Sequence, residues 1–284
     1  MENSTILTVI GAKCPNDVLA PIADIARAKN IHLAYLAVGA IPQFPNYGVG
    51  MLPYGTPVVP DTWQDSVQQV GADLKIKLDE IEDFLSKEGL SGDVKSACAE
   101  PTGLTDLVAR RAKLCDLALV CNGLRDEPHT FKNVLDGLLF GSAAPVVLND
   151  LDGTKALGAK HILIAWNTSL PAARAVKRAL PLLKQAETVT IVCVDPVMSE
   201  MADGDNPGSD LGKWLSHHGC NVTVEQHPSG GRAISECLLE RAEELGADLI
   251  VAGAYGHSRL RETLFGGTTA SLVEQRGVAV FMAH

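Results

Sequence analysis

The sequence predicts an α/β fold: two tandem five-stranded parallel sheets, each doubly wound with helices on both faces. Three observations predict it. The chain repeats itself, since "STILTVIGAKCPNDVLAPIADIARAKNIHLAYLAV" from Ser4 and "KHILIAWNTSLPAARAVKRALPLLKQAETVTIVCV" from Lys160 each run as apolar strand, turn, amphipathic helix and apolar strand. Unbroken Val/Ile/Leu/Ala runs alternate with helical patterns, as in strands buried on both faces. Finally, 284 residues suit two domains of ordinary size. The boundary is placed between 154 and 155, giving units 1–154 and 155–284.

The elements follow in order. In the first unit the opening strand, helix and strand lead into "GAIPQFPNYGVGMLPYGTPVVPD", residues 39–61, whose five prolines exclude a helix. It reads as a surface excursion, with Phe44, Tyr47 and Tyr54 available to cover a neighbouring surface or partner subunit. A helix is expected near 61–88. "CDLALVCNGL", Cys115 to Leu124, then matches "ADLIVAGAYG", Ala247 to Gly256, and the closing strands "APVVL" and "VAVFM" match each other. Ile6 to Asp116 spans 110 positions where Ile162 to Asp248 spans 86, so the first unit carries about 24 extra residues, assigned to the Pro-rich stretch.

In the second unit strands are expected near 161–166, 188–194, 221–226, 248–253 and 278–283. The helix in "GRAISECLLERAEELG" has an apolar stripe of Ile234, Leu238, Leu239, Ala242 and Leu245, ended by Gly246.

Composition narrows the function classes. The net charge of -10 excludes a nucleic-acid surface, which needs gathered Lys and Arg. Residues 1–154 carry 12 basic against 20 acidic residues and residues 155–284 carry 12 against 14, so the second unit is the less hostile to an anion. No basic leader with a long apolar run opens the chain and no membrane span occurs, so a cytoplasmic location is expected. The seven cysteines contain no CxxC and read as reduced, mostly buried thiols. The eight histidines lack metal-ligand spacing.

The candidate site is "VAGAYGHSRLRETLFGGTT", Val251 to Thr269. Gly253 and Gly256 leave backbone bare at the end of the fourth strand, where open α/β sheets bind ligands. Gly266, Gly267, Thr268 and Thr269 open the last helix, whose unpaired N–H groups and partial positive charge suit phosphate. His257 and Arg259 in the intervening loop can add charge. Spacing alone leaves open a purely structural use of these glycines. The Walker and GxGxxG motifs are both absent, as is a lysine or carboxylate set for fast phosphoryl transfer. Asp195 and Glu262 are lone carboxylates of the kind that cap helices or stay solvated.

The pattern Gly253, Gly256, Gly266, one glycine after two residues and the next after nine, resembles the ATP-binding signature of the universal stress protein family, and the repeat order resembles a tandem member. The resemblance implies a fold related to adenine nucleotide alpha hydrolases. It also implies a site with adenine near Ala165, Trp166, Asn167 and Val194, ribose and phosphate at Gly253 and Gly256, and phosphate at Gly266 to Thr269. Asn167 stands where the family usually has Asp, bringing an amide without charge, and Gly267 stands where a hydroxyl residue is common.

In the first unit Cys121 and Leu124 fall on the glycine positions, Gly11 on the acidic one, and the last helix is expected to start near Asn133 and Val134. The resemblance therefore implies one adenine nucleotide, ATP with or without magnesium, bound by the second unit alone. It further implies pairing through the final strands, Pro145 to Leu148 and Val278 to Phe281. The expectation is a stress-response module regulated by nucleotide, with a protein partner or a second copy of the chain, rather than an enzyme. Two alternatives are a nucleotide-free interaction scaffold and a slow ATP hydrolase.

Overall fold

The computed structural model describes residues 1–16, 19–43, 61–150, 153–199, 203–255 and 267–284. The first half contributes β1 (Thr5–Gly11), α1 (Ala20–Lys29), β2 (His32–Ala40), α2 (Asp61–Glu88), β3 (Gly92–Ala99), α3 (Pro101–Ala112), β4 (Leu117–Val120), a 3-10 turn (Asn122–Asp126), α4 (Pro128–Gly141) and β5 (Val146–Leu148). The second contributes α5 (Thr154–Gly158), β6 (His161–Ala165), α6 (Leu170–Leu183), β7 (Thr188–Val194), α7 (Ser209–His217), β8 (Val222–His227), α8 (Ile234–Glu244), β9 (Leu249–Gly253), α9 (Gly267–Glu274) and β10 (Ala279–Ala283).

The two predicted sheets are joined as one. Its ten strands lie in the order β3-β2-β1-β4-β5-β10-β9-β6-β7-β8, parallel within each half and antiparallel only where β5 meets β10. There Val280 faces Leu148, Phe281 faces Val147 and Met282 faces Val146. This is the pairing of final strands that the sequence comparison implied, shifted by about one residue at each end.

Alternation along each strand divides the core into two layers. Ile6 and Ile10 join Phe281 on one face, with side chains from α1, α2, α6 and α7. Leu7 and Val9 join Val280 and Met282 on the other, with α3, α4, α8 and α9. Both layers run across the β5–β10 seam, so the halves share their apolar packing.

Several local expectations are corrected. The extra length of the first half lies mainly in α2, which has 28 residues where α7 has 9. The connections before these helices differ less: 20 residues separate Ala40 from Asp61 and 14 separate Val194 from Ser209. Most of residues 39–61, including Phe44, Tyr47 and Tyr54, lie outside the described residues. In α8 the buried stripe is Ser235, Cys237, Leu238 and Ala242, while Ile234 is 43% exposed. Leu239 and Leu245 are partly buried against the second core layer, so four of the five predicted residues face the core and only Ile234, the first residue of the helix, departs from the stripe. Gly246 does end it, at φ +60°. The last helix of the first half starts at Pro128, five residues before Asn133, because proline is accommodated at the first helical turn.

The reading of all seven cysteines as reduced thiols is also corrected. Cys14 and Cys121 form a disulfide, and Cys98, Cys115, Cys193, Cys220 and Cys237 are free. The partners are 107 residues apart in sequence, but β1 and β4 are adjacent and parallel, so both chains reach the same sheet edge together. Alkylation of denatured, unreduced protein is expected to label five cysteines. Labelling of all seven would show this pair to be open.

Candidate functional site

In the second half the chain passes from β6 through β7 to β8, then returns to the opposite side of β6 as β9. Strand order therefore reverses between β6 and β9, and the carboxyl ends of strands at such a reversal are where open α/β sheets bind ligands.

Trp166 and Asn167 follow the end of β6. The Trp166 N–H donates to the Val192 carbonyl at 3.0 Å, and its partly buried ring packs on the first core layer. Asn167 is exposed, and its Oδ1 accepts from the Ser169 hydroxyl at 2.7 Å. Ser169 in turn caps α6, with Oγ accepting from the Ala172 N–H at 3.3 Å. This short polar chain follows from the sequence Asn-Thr-Ser before Leu-Pro. Serine is a favoured cap and proline fits the first turn. Thr168, at φ +58°, donates its hydroxyl to Asp203 Oδ1 at 2.6 Å.

Val194 ends β7, half-buried, at the same sheet edge as Ala165. The adjacent Asp195 ties β7 to the loop after β8, since its N–H donates to the His227 carbonyl and its Oδ1 accepts from the Ser229 N–H at 2.8 Å. Hydrogen bonds from Ser229 hold its carboxyl below the usual range. That is a structural use of a residue whose position invited a catalytic one.

Gly253 ends β9, and its lack of a side chain has a definite cause. A Cβ there would stand 2.4 Å from Ala172 N and 2.6 Å from the Pro171 carbonyl carbon, so the start of α6 already occupies the space. Gly267 opens α9 and differs, because among the described residues nothing lies within 4 Å of the place a Cβ would take. Thr268 is half-buried. Thr269 is buried, and its hydroxyl oxygen accepts from the Tyr255 N–H at 3.4 Å, tying the start of α9 to the end of β9. The predicted contacts Gly256, His257, Arg259 and Gly266 lie outside the described residues.

The structure thus gathers Ala165, Trp166, Asn167, Val194 and Gly253 at one sheet edge, with α9 starting beyond β9. It adds Tyr255, which the sequence reading left aside. Tyr255 sits at φ +58°, its ring centroid is 4.8 Å from that of Phe140, and burial pushes its hydroxyl pKa up to about 12. Its sequence signal was its place inside the glycine turn, where a non-glycine residue with positive φ is uncommon.

The matching edge of the first half is built differently. Seven residues connect β4 to α4, against 13 between β9 and α9. Leu124 fills the space beside Gly11, its Cδ2 lying 3.2 Å from where a Cβ would be. Lys77 reaches in from α2, buried, donating to the Cys14 carbonyl at 2.7 Å and Asn16 Oδ1 at 2.8 Å and pairing with Glu80. Among the described residues no group of His, Cys, Asp and Glu is arranged to hold a metal ion, and no helix is long and apolar enough to cross a membrane.

Comparison with known proteins adds the following. Residues 158–284 match the model of the universal stress protein family. A universal stress protein from Archaeoglobus fulgidus DSM 4304 is similar in structure, with a TM-score of 0.67 and 17% identity over 99% of this chain and 96% of that one. A putative universal stress protein from Pseudomonas aeruginosa UCBPP-PA14 is similar at a TM-score of 0.57 and 16% identity, covering 99% and 92% of the two chains. At these identities the likeness is one of fold. No curated protein matches by sequence.

Proposed function

Residues 158–284 belong to the universal stress protein family, and from that premise we propose that residues 155–284 bind ATP or a related adenine nucleotide, with or without magnesium. Residues 1–154 act as the nucleotide-free partner. The observation that carries this reading is the spacing Gly253, Gly256, Gly266 between β9 and α9, beside the point where strand order reverses. Support comes from Gly267 on the first turn of α9, where no described residue fills the place of a Cβ and unpaired N–H groups favour phosphate. On this reading Trp166, Asn167 and Val194 contact the base and ribose, and Thr268 and Thr269 the phosphate oxygens. The short connection and the filled edge at Leu124 and Lys77 support the silence of the first half.

Nucleotide occupancy acts by biasing how the shared seam or a protein partner packs, limited by the ligand's differential affinity for two states. On this reading the chain is a stress-response regulatory module. A second reading, a scaffold that binds no nucleotide, is favoured by one observation: the α6 contact alone accounts for Gly253. Gly256→Val separates the two. It abolishes ATP binding in the first reading and leaves the protein's behaviour unchanged in the second.

A further inference from the structure

A cavity of about 420 Å³ lies between α4 of the first half and α9 of the second, with Tyr255 from the end of β9 in its wall. Its walls include Arg125, Phe131, Leu135, Tyr255, Val273 and Arg276. The Arg125 guanidinium is held in place: it donates to the Val273 carbonyl and, at 2.8 Å, to Asn149 Oδ1, and it lies 4.7 Å above the centre of the Phe131 ring. Its Nε is buried without an acceptor. Arg276 comes from the other half and forms no ion pair or hydrogen bond among the described residues. Burial, and then the charge of Arg276, lower the Arg125 pKa, as expected of two cations sharing a cavity without a counterion.

The surroundings agree in sign. Arg125, Lys132 and Arg276 line the cavity against Asp136 and Glu274, and none of the three cations is in a salt bridge among the described residues. Burial pushes the Asp136 carboxyl up, towards its neutral form, against the opposing charge of Lys132. In a chain with 24 basic and 34 acidic residues, three cations outside any salt bridge of the described residues, two from the first half and one from the second, are an exception to the general charge. Arg125 is half-buried and carries its charge without a carboxylate partner among the described residues, and an anion between it and Arg276 would offset that cost.

We infer that this cavity binds a small organic anion, a phosphomonoester or carboxylate with an aromatic or aliphatic body. The anionic head lies between Arg125 and Arg276, and the body lies over Phe131 and Leu135. Because both halves contribute one arginine, such a ligand bridges the β5–β10 seam and tightens it. The site is separate from the nucleotide site proposed above and stands without it.

The test uses the full chain and phenyl phosphate as probe, with benzoate as the carboxylate and benzyl alcohol as the neutral analogue, followed by calorimetry. Saturable binding of phenyl phosphate is expected, with roughly tenfold weaker binding of benzyl alcohol and a roughly tenfold loss in Arg276→Gln. Arg276 is exposed and makes no structural bond among the described residues, so this variant should fold as the parent does. Phe131→Leu should weaken binding as well, while saturating ATP should not displace the probe. The inference is overturned if phenyl phosphate fails to bind up to millimolar concentration or Arg276→Gln binds it equally. It is also overturned if benzyl alcohol binds as tightly, or if ATP displaces the probe and so locates it in the nucleotide site.

Discussion

Phe281→Ala is expected to destabilise the whole chain by about 3–5 kcal/mol, the cost of removing a large side chain from a close-packed core. Phe281 is 1% exposed on β10, with Val147 of β5 on one side and Val251 of β9 on the other. Its ring packs in the layer that also holds Leu157, Ala175 and Leu183. Its neighbours in this layer lie mostly on strands and helices, which resist collapse into the space left behind. Because the layer crosses the seam, both halves should lose stability together. Urea unfolding followed by circular dichroism should show a lower midpoint with an unchanged slope. A loss below about 1 kcal/mol would mean that the two halves are not packed through these strands.

Gly253→Ala is the second large effect, and it bears on how the glycine motif is used. The new methyl group would meet backbone atoms of Pro171 and Ala172, which cannot rotate away as a side chain can. Overpacking of this kind costs about 1–3 kcal/mol, and the rigid contact places the change at the upper end. The loss should appear in protein stripped of nucleotide, because it arises from α6 and β9 alone. Unchanged stability together with lost ATP affinity would show instead that Gly253 is bare for the ligand's sake.

Much of this architecture was legible in the sequence because its signals are local. The strands at 161–165 and 188–194 are unbroken apolar runs, and α2 occupies the residues expected of it. What was not legible depends on contacts between distant segments. The Cys14–Cys121 pair requires knowing that β1 and β4 are neighbours, and no spacing rule spans 107 residues. The extra length of the first half was assigned to the Pro-rich stretch because prolines stand out, whereas α2 differs from α7 only in continuing further.

The candidate site divides in the same way. Its location at the ends of β6, β7 and β9 could be read from the repeat, since strand order fixes it. The individual uses could not. Asn167 accepts from the Ser169 hydroxyl that caps α6, Thr269 accepts from Tyr255, and Gly253 accommodates a helix. Each is a tertiary contact that a polar or glycine residue serves as readily as it would serve a ligand.

The central claim is that one adenine nucleotide binds per chain, in the second half. Calorimetric titration of stripped full-length protein with ATP and magnesium tests it most directly. The account predicts saturation at about one ATP per chain and no saturable heat in Gly256→Val. Two sites per chain would contradict the silence of the first half, and no binding up to millimolar ATP would contradict the claim itself, leaving a protein that works through its surfaces.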